Sequence, residues 1–193
     1  LQNGNPARYS ITTDAFTFSK IWLPKPKLLI AGQGAIFSSL AALAAASGFS
    51  TWLLAQNDDT KALLIDQTHN DQHFKVGGLS DLATILPRVD EFTALISLFH
   101  DHDLETPLFA SALEKPLFYF GALGSKKTQA ARVTALSEAG VDAELIGKIH
   151  GPVGLDIGAI TPEQIAVSIL AQVISEMNTR DSARFRPQYE LVT

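Results

Sequence analysis

The stretch "KLLIAGQGAIFSSLAALAAASGFSTWLLA" (27–55) decides the fold class of this chain. Its first part, 27–34, is apolar and runs into glycines, which predicts a buried strand followed by a tight turn. The segment 35–48 is rich in Ala and Leu and ends at Gly48, as a helix with a glycine C-cap does. Another apolar segment, 49–55, predicts a second strand. Strand, glycine turn, helix and strand form a βαβ unit with a right-handed crossover.

The rest of the chain continues this alternation. Apolar strands are predicted at 93–99 and 116–125, a short strand at 62–65, and helices at 80–86, 105–113, 125–140 and 161–178. Near-continuous apolar strands are typical of a parallel sheet that is covered on both faces. We therefore predict one α/β domain, a three-layer Rossmann-like parallel sheet with helices on both faces.

Capping residues support the predicted helices. Ser80, Ser125 and Asp103 stand at N-cap positions, the last for the helix at 105, and Gly140 stands at a C-cap position. The helix at 161–178 has the clearest start. Thr161 is its cap, Pro162 is its first residue, and Gln164 completes a capping box.

Composition limits the classes of function. The chain has 193 residues, 46% of them hydrophobic, and a net charge of −5 without basic blocks, which argues against a nucleic-acid partner. The absence of cysteine excludes disulfides and thiolate sites and fits a cytoplasmic protein. No apolar run approaches the roughly 20 residues of a membrane span, and "LQNGNPARYS" at the N-terminus lacks signal-peptide features.

The predicted organisation has three parts. Residues 1–26 are an N-terminal segment or linker, 27–178 the Rossmann-like domain, and 179–193 a charged and loose C-terminal tail. Because the chain begins with Leu1 instead of Met, it is expected to be a piece of a longer protein.

Three segments with candidate site residues, called the marked segments below, follow predicted strands. They are expected at the sheet edge where open parallel sheets bind ligands. The first, "GQGAIF" (32–37), places Gly32 and Gly34 as a dinucleotide fingerprint does. Against this, Phe37 stands where Gly or Ala is expected, and Ala55 stands where an acidic ribose-binding residue is usual. Either Asp58 or Asp59 would have to substitute for that acid. A plain strand-to-helix turn therefore stays open, as does an NAD(P)-binding oxidoreductase or a nucleotide-sensing domain.

The second segment, "GALGSKK" (121–127), offers backbone N–H groups at a helix start. Gly124 and the capping Ser125 precede Lys126 and Lys127, whose charges oppose the helix dipole in the first turn. An anionic ligand would explain basic residues at this position, since N–H groups and ammonium groups would converge on it. The alternative is a pair of solvated lysines.

The third segment is "HDHDL" (100–104). On an extended segment His100 and His102 point to one side, and Asp101 and Asp103 to the other. A His-x-His pair can bind a metal ion when a third ligand is present, which would be His150, or His69 with His73. A metal-dependent hydrolase and a polar loop end are the two alternatives, and we assign neither a catalytic residue nor a metal ligand here.

A glycine-rich loop, "IHGPVGLDIGAITPEQ" (149–164), precedes the last helix. Its glycines allow the backbone to approach a ligand closely. His150, Gly154 and Asp156 are therefore predicted to belong to a ligand-facing loop, the alternative being a long connection with necessary turns.

Read together, three segments resemble the xanthine dehydrogenase accessory protein family, XdhC/CoxI, in its C-terminal Rossmann-like domain. They are "HDHDLETPLFASAL" (100–113), "YFGALGSKKTQAARVTALSEAG" (119–140) and "IHGPVGLDIGAITPEQIAVSILAQVI" (149–174). The matching patterns are H-D-H-x-x-D/E, G-A-L-G-S-[KR]-[KR] and G-P-x-G-L-D-I-G-A-x-T-P-E-x-I-A. The resemblance covers roughly 27–177.

The resemblance implies a maturation factor that binds molybdenum cofactor (molybdopterin) and helps insert it into xanthine dehydrogenase or a related molybdenum hydroxylase, as a chaperone more than a catalyst. The cofactor's anionic phosphate suits backbone amides, Ser125 and Lys126, with His100 and His102 near the polar head. The residues assigned to cofactor binding are Gly32, Gly34, His100, Asp101, His102, Gly121, Gly124, Ser125, Lys126, Gly154 and Asp156.

The sequence also departs from the family pattern. Ala35 and Phe37 replace the usual residues of G-x-G-H-x-A, "AQN" (55–57) replaces D-P-R, and the usual N-terminal domain is missing. These departures weaken the expectation of nucleotide binding more than they weaken the resemblance to the family. Whether the chain forms a homodimer stays open.

Overall fold

The computed structural model describes residues 6–12, 16–68, 74–99, 102–184 and 189–191. The strands are β1 (Ala7–Thr12), β2 (Phe16–Trp22), β3 (Lys27–Gly32), β4 (Ser50–Ala55), β5 (Phe74–Gly78), β6 (Thr93–Ser97), β7 (Tyr119–Ala122), β8 (Ile149–His150) and β9 (Tyr189–Leu191). The α-helices are α1 (Ala35–Ala46), α2 (Asp58–Thr68), α3 (Leu82–Ile85), α4 (His102–Ala112), α5 (Lys126–Glu138), α6 (Ala143–Ile146) and α7 (Pro162–Arg184). Short 3₁₀ helices, Leu79–Asp81 and Leu86–Arg88, flank α3.

The main sheet has six strands in the order β5-β4-β3-β6-β7-β8, and each neighbouring pair is parallel. Alternate residues of β3 point to opposite faces: Leu28 and Ile30 pack with α1 and α7, whereas Leu29 packs with α4 and α5. The predicted three-layer Rossmann-like α/β fold is thereby confirmed. The chain moves outward from β3 to β5 and then returns to β6, so the strand order reverses between β3 and β6.

Several predicted helix ends are confirmed. Ser125 caps α5, and α7 begins at Pro162 after Thr161. The Thr161 hydroxyl accepts from the Gln164 N–H at 3.4 Å, and the Gln164 amide oxygen accepts from the Thr161 N–H at 3.3 Å. Gly48 and Gly140 follow α1 and α5 with φ of 89° and 80°, the left-handed region that glycine adopts without strain.

The strand predicted at 62–65 is wrong, because this segment lies inside α2. The Asn57 side-chain oxygen accepts from the Thr60 N–H at 2.8 Å, and Asp58 and Asp59 occupy the first helical turn. A capping amide and two carboxylates at the positive end of the helix dipole favour a helix here. That local preference outweighs the short apolar run.

The single helix predicted at 80–86 is also wrong. A short α-helix with a 3₁₀ turn on each side replaces it, and Ser80 lies inside the first turn instead of capping it. The Asp81 carboxylate accepts from the Gly78 N–H at 2.8 Å, a contact from the end of the first 3₁₀ turn back to the residue before it.

Both ends of the chain carry more structure than the sequence indicated. The last helix continues to Arg184 instead of ending at 178. Strands β1 and β2 pair antiparallel, and β9 pairs antiparallel with β2, which gives a separate three-stranded sheet. This sheet exposes Tyr9, Ile11 and Trp22. The division into segment, domain and tail stays a prediction.

None of the helices in the described part of the chain combines the length and the apolar character that crossing a membrane requires.

Truncating the core face of α7 tests how this helix packs. Ile169 is fully buried against the sheet, whereas Val167 on the same helix is 46% exposed. We expect Ile169→Ala to lower the free energy of unfolding by about 2–5 kcal/mol, because a cavity remains in the core. The matched Val167→Ala is expected to change it by no more than about 0.5 kcal/mol. If urea unfolding shows the same loss of unfolding free energy for both variants, the packing of α7 described here is contradicted.

Candidate functional site at the carboxyl edge of the sheet

Four adjacent strands bring the predicted site segments to one edge. In the order β3-β6-β7-β8, each strand ends where a marked segment begins. The turn after β3 holds Gly32 and Gly34, the turn after β7 holds Gly124 and Ser125, and the loop 151–160 follows β8. The reversal of strand order falls between β3 and β6, which is the usual position of a ligand crevice in such sheets.

The turn after β3 needs both of its glycines for different reasons. Gly32 has φ of 139°, and a Cβ there would stand 2.9 Å from the Cβ of Leu98, so this glycine allows close approach of the segment after β6. Gly34 has φ of 90°, and a Cβ there would meet nothing within 4 Å. The turn therefore leaves open space beside the N-terminus of α1.

The nucleotide fingerprint is incomplete in the structure. Phe37 is 1% exposed and packs into the core from α1. Ala55 pairs with Gly32 at the end of β4, so no carboxylate stands at the strand position that binds a ribose in dinucleotide sites. Asp58 and Asp59 lie in the first turn of α2, where their interaction with the helix dipole accounts for them without a ribose.

The turn after β7 forms a tightly built helix start. Gly124 has φ of 141°, and a Cβ there would stand 2.7 Å from Cγ2 of Thr128. The Ser125 hydroxyl accepts from the Thr128 N–H at 3.1 Å, and the Thr128 hydroxyl accepts from the Ser125 N–H at 3.2 Å. The Ser125 oxygen is thus engaged as the cap of α5. Its role in the site is first to fix the helix end.

The first turn of α5 keeps free donors. Lys126 and Lys127 are exposed, and within the described part of the chain neither residue has a hydrogen-bond or ion-pair partner beyond the helix itself. The first N–H groups of a helix lack internal acceptors. Two lysines and N–H groups without internal acceptors therefore lie at the positive end of a helix dipole, an arrangement that favours anions.

The loop after β8 is fixed to its surroundings by close packing. Gly121 is buried within β7, and a Cβ there would stand 2.6 Å from Cγ2 of Val153. Gly154 has φ of 108°, and a Cβ there would stand 2.3 Å from the Ser168 hydroxyl oxygen. Packing of the loop against β7 and α7 thus explains both glycines.

Hydrogen bonds add to this packing. The Gln172 side-chain oxygen on α7 accepts from the Gly154 N–H at 2.6 Å and from the Tyr119 hydroxyl at 2.7 Å. Burial, together with the nearby Glu176 carboxylate, raises the pKa of Tyr119, so its hydroxyl stays protonated and donates. The Tyr119 ring also stacks on the His150 ring, with 4.6 Å between centroids. His150 is therefore part of the loop's support.

The tip of the loop is exposed. Asp156 lies at the surface between Leu155 and Ile157, which are 41% and 53% exposed. Ile160, just before α7, is 84% exposed. A loop that is fixed to β7 and α7 thus presents one carboxylate and three apolar side chains to solvent beyond the carboxyl end of β8.

A buried ion pair lies beneath the site. The Arg132 guanidinium on α5 donates from Nε to the Glu105 carboxylate on α4 at 2.8 Å, and both side chains are 2% exposed. The Ser97 hydroxyl at the end of β6 donates to the same carboxylate at 2.6 Å. Arg132 also donates to the Leu123 carbonyl at 2.8 Å and to the Gln129 side-chain oxygen. The pair therefore joins β6, α4, α5 and the turn after β7.

The importance of Arg132 is not predicted above. The sequence does contain one indication of its burial: Arg132 lies four residues before Leu136, which places both side chains on the same face of the predicted helix. Leu136 and Arg132 are indeed both buried. Glu105, in contrast, was the acidic position of the H-D-H-x-x-D/E pattern.

The "HDHDL" segment differs from the prediction. His102 is the first residue of α4, so the segment is helical and not extended from His102 onward, and Asp103 lies inside the helix instead of capping it at 105. His100 and Asp101 lie outside the described residues, as do His69 and His73. Within the described ranges, no three His, Asp or Glu side chains are grouped so that they could hold a metal ion.

Breaking the buried ion pair tests its structural role. We expect Arg132→Met to lower the free energy of unfolding by about 3–5 kcal/mol, because the Glu105 carboxylate is left buried without its partner. The double change Glu105→Met/Arg132→Met is expected to cost less than the sum of the two single changes, since no buried charge remains. Exposed Glu138→Met is the control, with an effect within about 0.5 kcal/mol. Additive losses in a double-mutant cycle would contradict the coupling.

Comparison with known proteins places the chain in a family. A profile of the XdhC Rossmann domain matches residues 28–173. The chain is 32% identical over 154 residues to the molybdenum cofactor insertion chaperone PaoD of Escherichia coli (strain K12), covering 79% of this chain and 40% of PaoD. It is 34% identical over 160 residues to a probable xanthine dehydrogenase subunit from Bacillus subtilis (strain 168), covering 78% of this chain and 43% of that protein.

A solved structure agrees with this placement. A crystal structure described as a xanthine dehydrogenase from Bacillus halodurans matches with a TM-score of 0.69 and 26% identity, over 88% of this chain and 48% of that chain. The chain thus spans less than half the length of these relatives. Because the profile matches most of the sequence and the fold agrees, the chain belongs to the XdhC Rossmann domain family.

Proposed function

We propose that this chain binds the molybdenum cofactor at the carboxyl edge of its sheet and helps to insert it into a xanthine dehydrogenase-type molybdenum hydroxylase. The observation that carries the proposal is the first turn of α5, where unpaired N–H groups meet Lys126 and Lys127. The name of the relative PaoD, a molybdenum cofactor insertion chaperone, supports the choice of ligand. In this proposal the chain is a cofactor carrier, and no catalytic residue is assigned to it.

The residues present fit an anionic cofactor. The net charge of the chain is −5, so a cationic helix start is a local exception that would attract the cofactor's phosphate. Open space beside Gly34 and the N-terminus of α1 leaves room for the rest of the ligand. When bound, the cofactor would carry the metal chemistry of the recipient enzyme, and the chain's own residues would hold its anionic groups and orient it.

The remaining assigned residues enter the proposal differently. His100, Asp101 and His102 stay predicted contacts for the polar end of the cofactor. Gly121 and Gly154 would act through packing, since their missing side chains allow close contacts within the protein.

The loop 151–160 supports a protein partner. Leu155, Ile157 and Ile160 are exposed on a loop that Gln172 and Ser168 fix to α7, with Ser168 donating to the Leu155 carbonyl at 2.6 Å. Apolar side chains at the rim of a ligand site suit a surface that contacts the recipient enzyme during transfer. A molybdenum hydroxylase of the xanthine dehydrogenase type is therefore the proposed partner.

The alternative of an NAD(P)-linked oxidoreductase has less support. Gly32 and Gly34 have suitable conformations, but Ala55 stands where the ribose-binding acid would be. NAD(P) binding stays a prediction. Titration with NAD(H) and NADP(H), followed through the fluorescence of Trp22 and Trp52, would test it.

Charge removal at the start of α5 tests the proposal. We expect Lys126→Ala/Lys127→Ala to weaken molybdenum cofactor binding at least about tenfold, because charge-assisted contacts to the phosphate are lost. Binding can be measured by equilibrium ultrafiltration without oxygen, with the pterin quantified by fluorescence after oxidation. Ser125→Ala is less informative, since loss of the helix cap alone costs about 1 kcal/mol of stability.

The matched control removes the same charge from the opposite edge. Lys115 and Lys148 are exposed, precede β7 and β8, and line a separate depression of about 370 Å³. We expect Lys115→Ala/Lys148→Ala to leave binding unchanged. Equal binding by the first double variant and the unaltered chain, or a selective loss in the control, would contradict the proposed site.

A further inference from the structure

A second cavity lies on a different part of the sheet. It has a volume of about 220 Å³ and lies against β4 and β5, under α3 and the following 3₁₀ helix. Strand β5 is the outer strand of the sheet, and β4 separates it from β3. The cavity is therefore distinct from the crevice at the ends of β3, β6, β7 and β8.

The floor of this cavity is apolar and contains a buried donor. Trp52 is 6% exposed and lines the cavity, and its indole N–H has no acceptor in the part of the chain that the structure describes. Buried N–H groups normally have a partner, because leaving one unpaired costs stability. This nitrogen is closed to solvent, so the indole meets the cavity with the apolar part of its ring.

Glycine at position 77 lets α3 pack closely on β5 beside the cavity. Lys75 pairs with Trp52 in register, and Gly77 follows on the same face of β5. A Cβ at Gly77 would stand 2.8 Å from Cδ1 of Ile85, which also lines the cavity. Glycine therefore allows Ile85 to form an apolar part of the cavity lining together with Trp52.

The rim of the cavity is cationic. The Lys75 ammonium lies 4.8 Å from the centroid of the Trp52 ring, and Arg88 also lines the cavity. Within the described ranges neither side chain has an acidic partner. The remaining charged residue of the lining, Asp81, is 2.6 Å from the Lys61 ammonium. Hydrogen bonds from Lys61 and the Gly78 N–H hold the pKa of Asp81 below its usual value, so its charge is already compensated.

We propose that this cavity binds a small organic carboxylate with an apolar body. The carboxylate would accept from Lys75 and Arg88, while the apolar body would lie against the Trp52 ring and Ile85. Arg binds carboxylates through two parallel hydrogen bonds, and Thr84 in the same wall adds a hydroxyl. An inorganic anion would leave the apolar floor uncovered, which favours the organic acid.

The chain offers a direct reporter for this site. It has only two tryptophans, and Trp22 lies on the separate three-stranded sheet at 51% exposure, so Trp22→Phe leaves Trp52 as the sole tryptophan. Benzoate is the probe, benzamide its neutral isostere, and inorganic phosphate the simple anion. Fluorescence of Trp52 gives the affinity, and the ¹H–¹⁵N resonance of its indole group reports on ligand contact with the ring.

We expect benzoate to change the fluorescence with saturation and to shift the indole N–H resonance, because its ring would lie against the indole. Benzamide and phosphate are expected to bind at least about tenfold more weakly. Lys75→Met/Arg88→Met should weaken benzoate binding by at least about the same factor, because two charge-assisted contacts are lost. Lys115→Met/Lys148→Met is the control and should bind benzoate as the parent does.

Three results would overturn the proposal: no saturable response to benzoate in a natively folded protein, equal affinity for benzamide or phosphate, or undiminished binding by Lys75→Met/Arg88→Met. Both changed residues are exposed, so these variants are expected to fold, and far-UV circular dichroism checks this. If a variant fails to fold, the indole resonance of the Trp22→Phe protein decides alone. A resonance that does not move with benzoate then rejects the site.

Discussion

The buried ion pair between Glu105 and Arg132 is the interaction on which the geometry of the carboxyl edge depends. Two charges removed from water are stable only when their remaining hydrogen-bonding groups are satisfied. Ser97, Gln129 and the Leu123 carbonyl supply those partners. Since these residues come from β6, α5 and the turn after β7, satisfying the pair fixes the positions of all three. The start of α5, where the anion site is proposed, is thereby held against the end of β6.

The candidate site is made mainly of backbone. The conformations at Gly32 and Gly124 are ones that residues with a Cβ rarely adopt, and at both positions a Cβ would also collide with a neighbouring residue. The Ser125 side chain is used to fix a helix end. Free N–H groups and two lysines are left to face the proposed ligand. Both lysines are exposed, which suits the release step that the proposed carrier role requires.

How far the sequence predicted the structure depends on the range of the interactions involved. The βαβ unit and the caps at Ser125 and Thr161 rest on neighbouring residues, and both are confirmed. The pairing of β2 with β9 joins distant parts of the chain and left no local signal. Arg132 was missed for the same reason, since its partner Glu105 lies on another helix. The alternating His and Asp residues at 100–104 fit an extended segment, so they do not predict that α4 begins at His102.

The most direct test of the central claim is amide hydrogen exchange of the chain with and without molybdenum cofactor. Binding at the carboxyl edge predicts slower exchange of the amides at 35–37 and 126–128, which start α1 and α5. The amides at 115–117, before β7, should exchange at an unchanged rate. Bound cofactor without protection at either helix start, or with protection at 115–117 alone, would contradict the account.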